Sequence, residues 1–69
     1  MKNLFTPPKQ VEGTLVGVDG NAFALMARFQ RLAKRQHWSD ADIDLVIDKC
    51  YEGDYQELIS NLKAHMTMK

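Results

Sequence analysis

S-D-A-D-I-D-L-V-I-D-K-C-Y-E-G-D-Y-Q-E-L-I-S-N-L-K-A-H-M, residues 39–66, encodes two short amphipathic helices with a start, a hinge and a restart. The Ser39 hydroxyl is placed to accept a free first-turn N–H, and Asp42 stands where a capping box carries Glu. Ile43, Val46, Ile47 and Cys50 follow at one-turn spacing and form a single apolar stripe. Gly53 ends the stripe as a residue free to turn left-handed, and Asp54 with Glu57 repeats the cap. The restarted helix buries Tyr55, Leu58, Ile59, Leu62 and Met66. So short a connection makes the two helices pack on each other or cross steeply.

Upstream, Asp19-Gly20-Asn21 is a turn signal that leads into another helix, capped by Asp19 or Asn21. The three helices are expected over residues 20–36, 40–52 and 54–67. In the first, Ala22, Leu25, Met26, Phe29, Leu32 and Ala33 face inward, while Phe23 and Ala27 widen the apolar arc to one side. Phe23 is therefore a candidate anchor for another subunit. The outer face carries Arg28, Arg31 and Arg35 with Lys34 beside them, and the second helix carries Asp40, Asp42, Asp44, Asp48 and Glu52 against Lys49. The plain reading is solvated surface plus complementarity to the helix dipoles. The functional reading is a partner contact through Phe23, Arg28, Arg31, Lys34 and Arg35. Between the helices, Trp38 precedes the Ser39 cap as a staple residue does and fills the corner against Ile43.

V-E-G-T-L-V-G-V, residues 11–18, is the only strand-like segment, weakened by Gly13 and Gly17. A strand needs a partner for its backbone groups, and the chain offers no second candidate. Pairing with another copy through Thr14, Leu15, Val16 and Val18 predicts a homodimer or higher oligomer. The alternative is an extended coil laid over the helices. Residues 1–10 hold Pro7-Pro8 and no period, which predicts a flexible arm whose Leu4 and Phe5 dock on a partner or on the domain itself.

The 69 residues make one domain, residues 11–69 after the arm, close to the ~70–80 residues below which a core needs outside support. One cysteine excludes an internal disulfide and sits mid-stripe, where a small core residue is expected. The absence of a disulfide framework suits a reducing compartment, no run approaches ~18 apolar residues, and prolines stand where a signal peptide is apolar. The chain reads as cytoplasmic, with no membrane partner. Nine basic and nine acidic residues cancel, so no global field draws it to nucleic acid or lipid.

Asp40-Ala41-Asp42-Ile43-Asp44 imitates a calcium loop but fails at Leu45, where glycine is needed, and at Tyr51, where Glu is needed. His37 and His65 make no zinc spacing with Cys50, and the glycines at 13, 17 and 20 lack the residues of a phosphate loop. No nucleophile–base–orienter set is present, so neither catalysis, a cofactor nor a metal is expected. Helix-turn-helix readout is disfavoured, because the third helix offers a groove only Gln56, Asn61 and Lys63 and the second brings aspartates to the phosphates. Phosphate or nucleic-acid contact through Arg28, Arg31 and Arg35 remains the alternative to protein binding.

Two patches, D-G-N-A-F (residues 19–23) and G-D-Y-x-x-L (residues 53–58), resemble a group of small proteins encoded in bacterial, phage and plasmid genomes. That resemblance covers residues 16–65, most of the chain, and carries over neither an activity nor site residues. The small helical unit, the spare strand, the apolar arc near Phe23 and the segregated charges themselves lead to the expectation of a non-catalytic, homo-oligomeric accessory factor, of phage or mobile-element origin, that binds or blocks another protein. The helical outline is also similar to ubiquitin-associated domains, but Gln36-His37-Trp38 replaces their Met-Gly-Phe/Tyr loop, so ubiquitin binding is not implied. The expected fold is mainly α, with a short N-terminal β-strand followed by a compact three-helix bundle.

Overall fold

A computed structural model describes residues 3–67. The order is β1 (Val11–Glu12), α1 (Ala22–Arg35), α2 (Asp40–Tyr51), α3 (Tyr55–Ala64) and β2 (Met66–Thr67). This is the predicted strand-plus-three-helix fold, with one strand more than the sequence suggested. Each helix starts on a side-chain oxygen. Asn21, rather than Asp19, caps α1 by accepting the Ala24 N–H at 2.8 Å, Ser39 caps α2 through Asp42 at 3.2 Å, and Asp54 caps α3 through Glu57 at 2.9 Å. Such caps contribute about 1 kcal/mol each.

The ends of α1 and α2 are closed in different ways. α1 closes in a Schellman turn: the His37 N–H donates to Lys34 O at 3.1 Å and the Trp38 N–H to Ala33 O at 3.0 Å, with His37 itself left-handed at φ 69. Gly53, expected to be left-handed, has no positive φ. α2 instead ends through Glu52 in right-handed geometry, and a Cβ at Gly53 would stand 2.8 Å from the Glu57 side chain. Gly53 supplies room for the next cap rather than a reversed backbone.

The core takes Leu25, Met26, Phe29 and Ala33 from α1, Ile43, Val46 and Cys50 from α2, and Leu58 and Leu62 from α3. Val11 and Met66 close it from the strands. Fully burying one large apolar side chain contributes about 1.5–3 kcal/mol, so this cluster is the main stabilising term. Trp38 packs on its edge, with its ring edge-to-face on Phe29 at 5.6 Å. Tyr55, expected inside, is 46% exposed, and its hydroxyl donates to Gly20 O.

Three expectations are corrected at the chain's two ends. The strand has a partner within the chain, since β1 pairs in parallel with β2, Val11 opposite Met66 and Glu12 opposite Thr67. α3 stops at Ala64 rather than residue 67, because His65 turns inward and residues 66–67 extend to meet β1. Residues 13–18 are outside any strand and lie over the helices as coil. Gly13 permits this close approach; a Cβ there would fall 2.5 Å from Leu32 Cδ1. β1 therefore needs no second copy to pair its backbone, and Thr14, Leu15, Val16 and Val18, expected to form an inter-chain strand, lie outside any strand.

The expected flexible arm is, over residues 3–10, laid against the domain; residues 1 and 2 lie outside the described residues. Asn3 Nδ2 donates to Lys9 O at 2.7 Å and to Ala64 O at 3.0 Å, and the Phe5 ring meets Trp38 and His65 edge-to-face at 5.4 and 5.7 Å. Lys9 sits over the Trp38 ring at 4.7 Å and pairs with Asp42. Phe5 docks on its own domain.

Candidate functional site

α1 places Phe23, Ala27, Arg31 and Lys34 along one exposed stripe, spaced by four, four and three residues. Arg35 is exposed beside it and Arg28 is half-buried on its edge. The five residues read from the sequence as a contact set therefore lie on one face. Phe23 is 72% exposed, far beyond what a core residue shows. Its burial against the chain's own bundle is not used.

The charges on this face are unspent. Among the described residues the ion pairs are Lys9 with Asp42 and Lys49 with Glu52, and neither involves α1. Arg28, Arg31, Lys34 and Arg35 stand without a carboxylate among the described residues. Arg28 and Arg31 also border a cleft of about 360 Å³ whose other wall is Gly17 and Val18, and the Arg28 Nε is buried there without an acceptor.

One apolar depression adjoins this face and a second lies beyond it. Phe23, Tyr51 and Tyr55 rim a hollow of about 270 Å³ whose floor includes Met26, Cys50 and Leu58. Leu15, Val16 and Val18 wall a groove of about 450 Å³ over Leu25 and Ile59, with Tyr55 and Lys63 on its rim. Thr14 lines it too. The predicted oligomer residues are thus gathered at one groove, although they form no strand. Tyr55 borders both depressions and joins them.

Sequence reasoning missed the buried polar residues of α3's end. Asn61, read as available to a nucleic-acid groove, is fully buried; its Nδ2 donates to Val46 O at 2.9 Å and to Cys50 Sγ at 3.0 Å, and its Oδ1 has no partner among the described residues. His65, read as isolated, is also fully buried. Its Nε2 accepts the Leu4 N–H at 3.0 Å, which leaves the proton on Nδ1, donated to Asn61 O at 2.7 Å. Burial holds His65 below its ordinary range, opposed in part by the Asn61 carbonyl. Both ring nitrogens are committed, so the ring is unavailable as a base. Burial likewise pushes the Cys50 thiol up, against a smaller opposing effect of the Asn61 hydrogen bond, and a thiol so held is a poor nucleophile. The only sequence signal for this network was the stripe itself, since Leu58, Asn61, Leu62 and His65 recur at helical spacing.

Among the described residues no three His, Cys, Asp or Glu side chains are grouped to hold a metal, and no helix is long and apolar enough to cross a membrane. Comparison with protein families, with curated proteins and with solved structures found no match to this chain.

Proposed function

We propose that this chain is a small non-catalytic interaction protein whose contact surface is the outer face of α1, and that its partner is an acidic protein surface. One observation carries the reading: Phe23 stands exposed at one end of a stripe whose other end holds Arg31 and Lys34, with Arg35 beside them, none paired with a carboxylate among the described residues. An exposed aromatic anchor beside arginines is the residue combination that dominates binding at protein interfaces. The buried state of His65 and Cys50 supports the non-catalytic part. Tagged protein expressed in its source cell tests it. A protein captured by the wild type and lost with Phe23→Ser/Arg31→Glu supports the contact face; equal capture by both overturns it.

The cleft at Arg28 and Arg31 favours a second reading, an anionic ligand such as a nucleic-acid phosphate. Titration with a labelled single-stranded oligonucleotide separates the two. Phosphate-driven binding weakens steeply with salt and is lost with Arg28→Gln/Arg31→Gln, whereas no binding at low salt removes this reading.

A further inference from the structure

α2 of the same chain presents exposed aspartates beside the basic face of α1. α1 and α2 are joined at one end by residues 36–39, and at the other Phe23 and Tyr51 line one hollow, so the two helices run antiparallel with their aromatic ends level. Along α1 the exposed stripe passes from Phe23 through Ala27 to Arg31 and Lys34. Along α2 a stripe of exposed residues passes from Tyr51 to Asp44 and Asp40. Eleven residues separate Phe23 from Lys34 and eleven separate Tyr51 from Asp40, so both stripes span about 16 Å. The two helices share one aromatic end, and at the other α1 is cationic and α2 anionic.

Among the described residues the ion pairs use Lys9, Asp42, Lys49 and Glu52, and leave Arg31, Lys34, Asp40 and Asp44 uncompensated. A surface divided lengthwise into a basic and an acidic half is complementary to itself after a half-turn about an axis lying between the helices. That rotation lays α1 over α2 of the other copy, antiparallel and in the same register. It sets Phe23 against the other copy's aromatic end and Arg31 and Lys34 against its aspartates. The contact is isologous and closes at two copies.

We propose that the α1–α2 face is a self-association surface, seating a second copy of this chain with Arg31 and Lys34 opposite Asp44 and Asp40. This rests on the reading of α1 as the contact face, and names the acidic surface that meets it. The apolar end gives the contact an area to bury, and the charged end fixes its register.

Sedimentation equilibrium on the full chain tests this with two charge-reversed variants, Arg31→Glu/Lys34→Glu and Asp40→Lys/Asp44→Lys. Thermal melts verify that each is folded; should the second not fold, Asp44→Lys with Arg31→Glu serves as the pair. The wild type is expected to reach the mass of two copies at high micromolar concentration in low salt, and to weaken about tenfold in about 0.5 M salt. Each variant alone is expected to stay single, and an equal mixture of the two to recover the double mass. A wild type that stays single overturns the proposal and leaves α1 as a contact face for a different protein. Recovery failing in the mixture, although the wild type pairs and Arg31→Glu/Lys34→Glu does not, also overturns the seat on α2 while α1 keeps its role. Pairing unaffected by Arg31→Glu/Lys34→Glu overturns the proposal and counts against the α1 reading as well.

Discussion

The hairpin of α2 and α3 and the closure where residues 3–12 meet residues 64–67 hold the same small molecule together by opposite means. The hairpin is built from neighbours: two caps, one short hinge and two stripes that meet across it. The closure is built from residues some sixty positions apart, such as Asn3 on Ala64 and Leu4 on His65, and it uses hydrogen bonds to place a modest amount of apolar surface. Local signals specify the bundle, whereas a few polar side chains decide how its open side is shut.

The largest effect should fall in the bundle. Leu62 is fully buried between the helices, and Leu62→Ala is expected to cost about 2–5 kcal/mol in urea denaturation followed by circular dichroism. For a domain of this size that is most of the available stability. A loss under about 1 kcal/mol would show that the helices do not share one core.

At the closure, His65→Phe keeps a ring of similar shape but strands the Leu4 N–H and the Asn61 carbonyl, with an expected cost of about 1–3 kcal/mol. The wild type should also respond to acid. His65 titrates lower folded than its ordinary value of 6.5, so the unfolded chain binds more protons in between. Its contribution is fully present above about pH 6.5 and lost as pH falls through the folded value. Urea midpoints between about pH 7.5 and 5.5 should therefore fall in the wild type and fall less in His65→Phe. Parallel slopes would remove His65 from the closure.

A smaller effect of opposite sign separates the two regions further. His37 holds a left-handed conformation that costs an L-residue about 1–2 kcal/mol, so His37→Gly is expected to stabilise by up to about 1 kcal/mol after glycine's own entropy is counted. Smallest of all, Lys9→Ala removes an exposed ion pair and a cation–ring contact at the closure and is expected to cost about 0.5–1 kcal/mol, less in high salt. A loss beyond about 2 kcal/mol would mean that the arm, not His65, carries the closure.

What was legible in the sequence follows the same division. Ser39 and Asp54 announced their helices because a cap is decided within four residues, and Ile43, Val46 and Cys50 announced their face because a stripe needs only a period. Met66-Thr67 carried no strand signal, since two residues have no period and no flanking turn. Without β2, Val11 and Glu12 seemed to require another molecule. His65 looked isolated for a related reason: Leu4 and Phe5, which meet it, carry no local signal that brings them near; Asn61 looked available to a groove because its partners, Val46 and Cys50, lie on another helix. The face of α1 was readable as charge and exposure, but its likeness to a template for α2 became visible only once both helices were placed side by side.

The parallel pairing of β1 with β2 also fixes an order of events during synthesis. Val11 waits for Met66, and Asn3 waits for Ala64, so nearly the whole described chain must be made before the first-made segment finds its seat. α1 and α2 have their partners earlier, and with them the basic and acidic stripes. A nascent chain thus carries the face proposed above for self-association before its core is shut, and under that proposal two chains growing on one message would meet through it first.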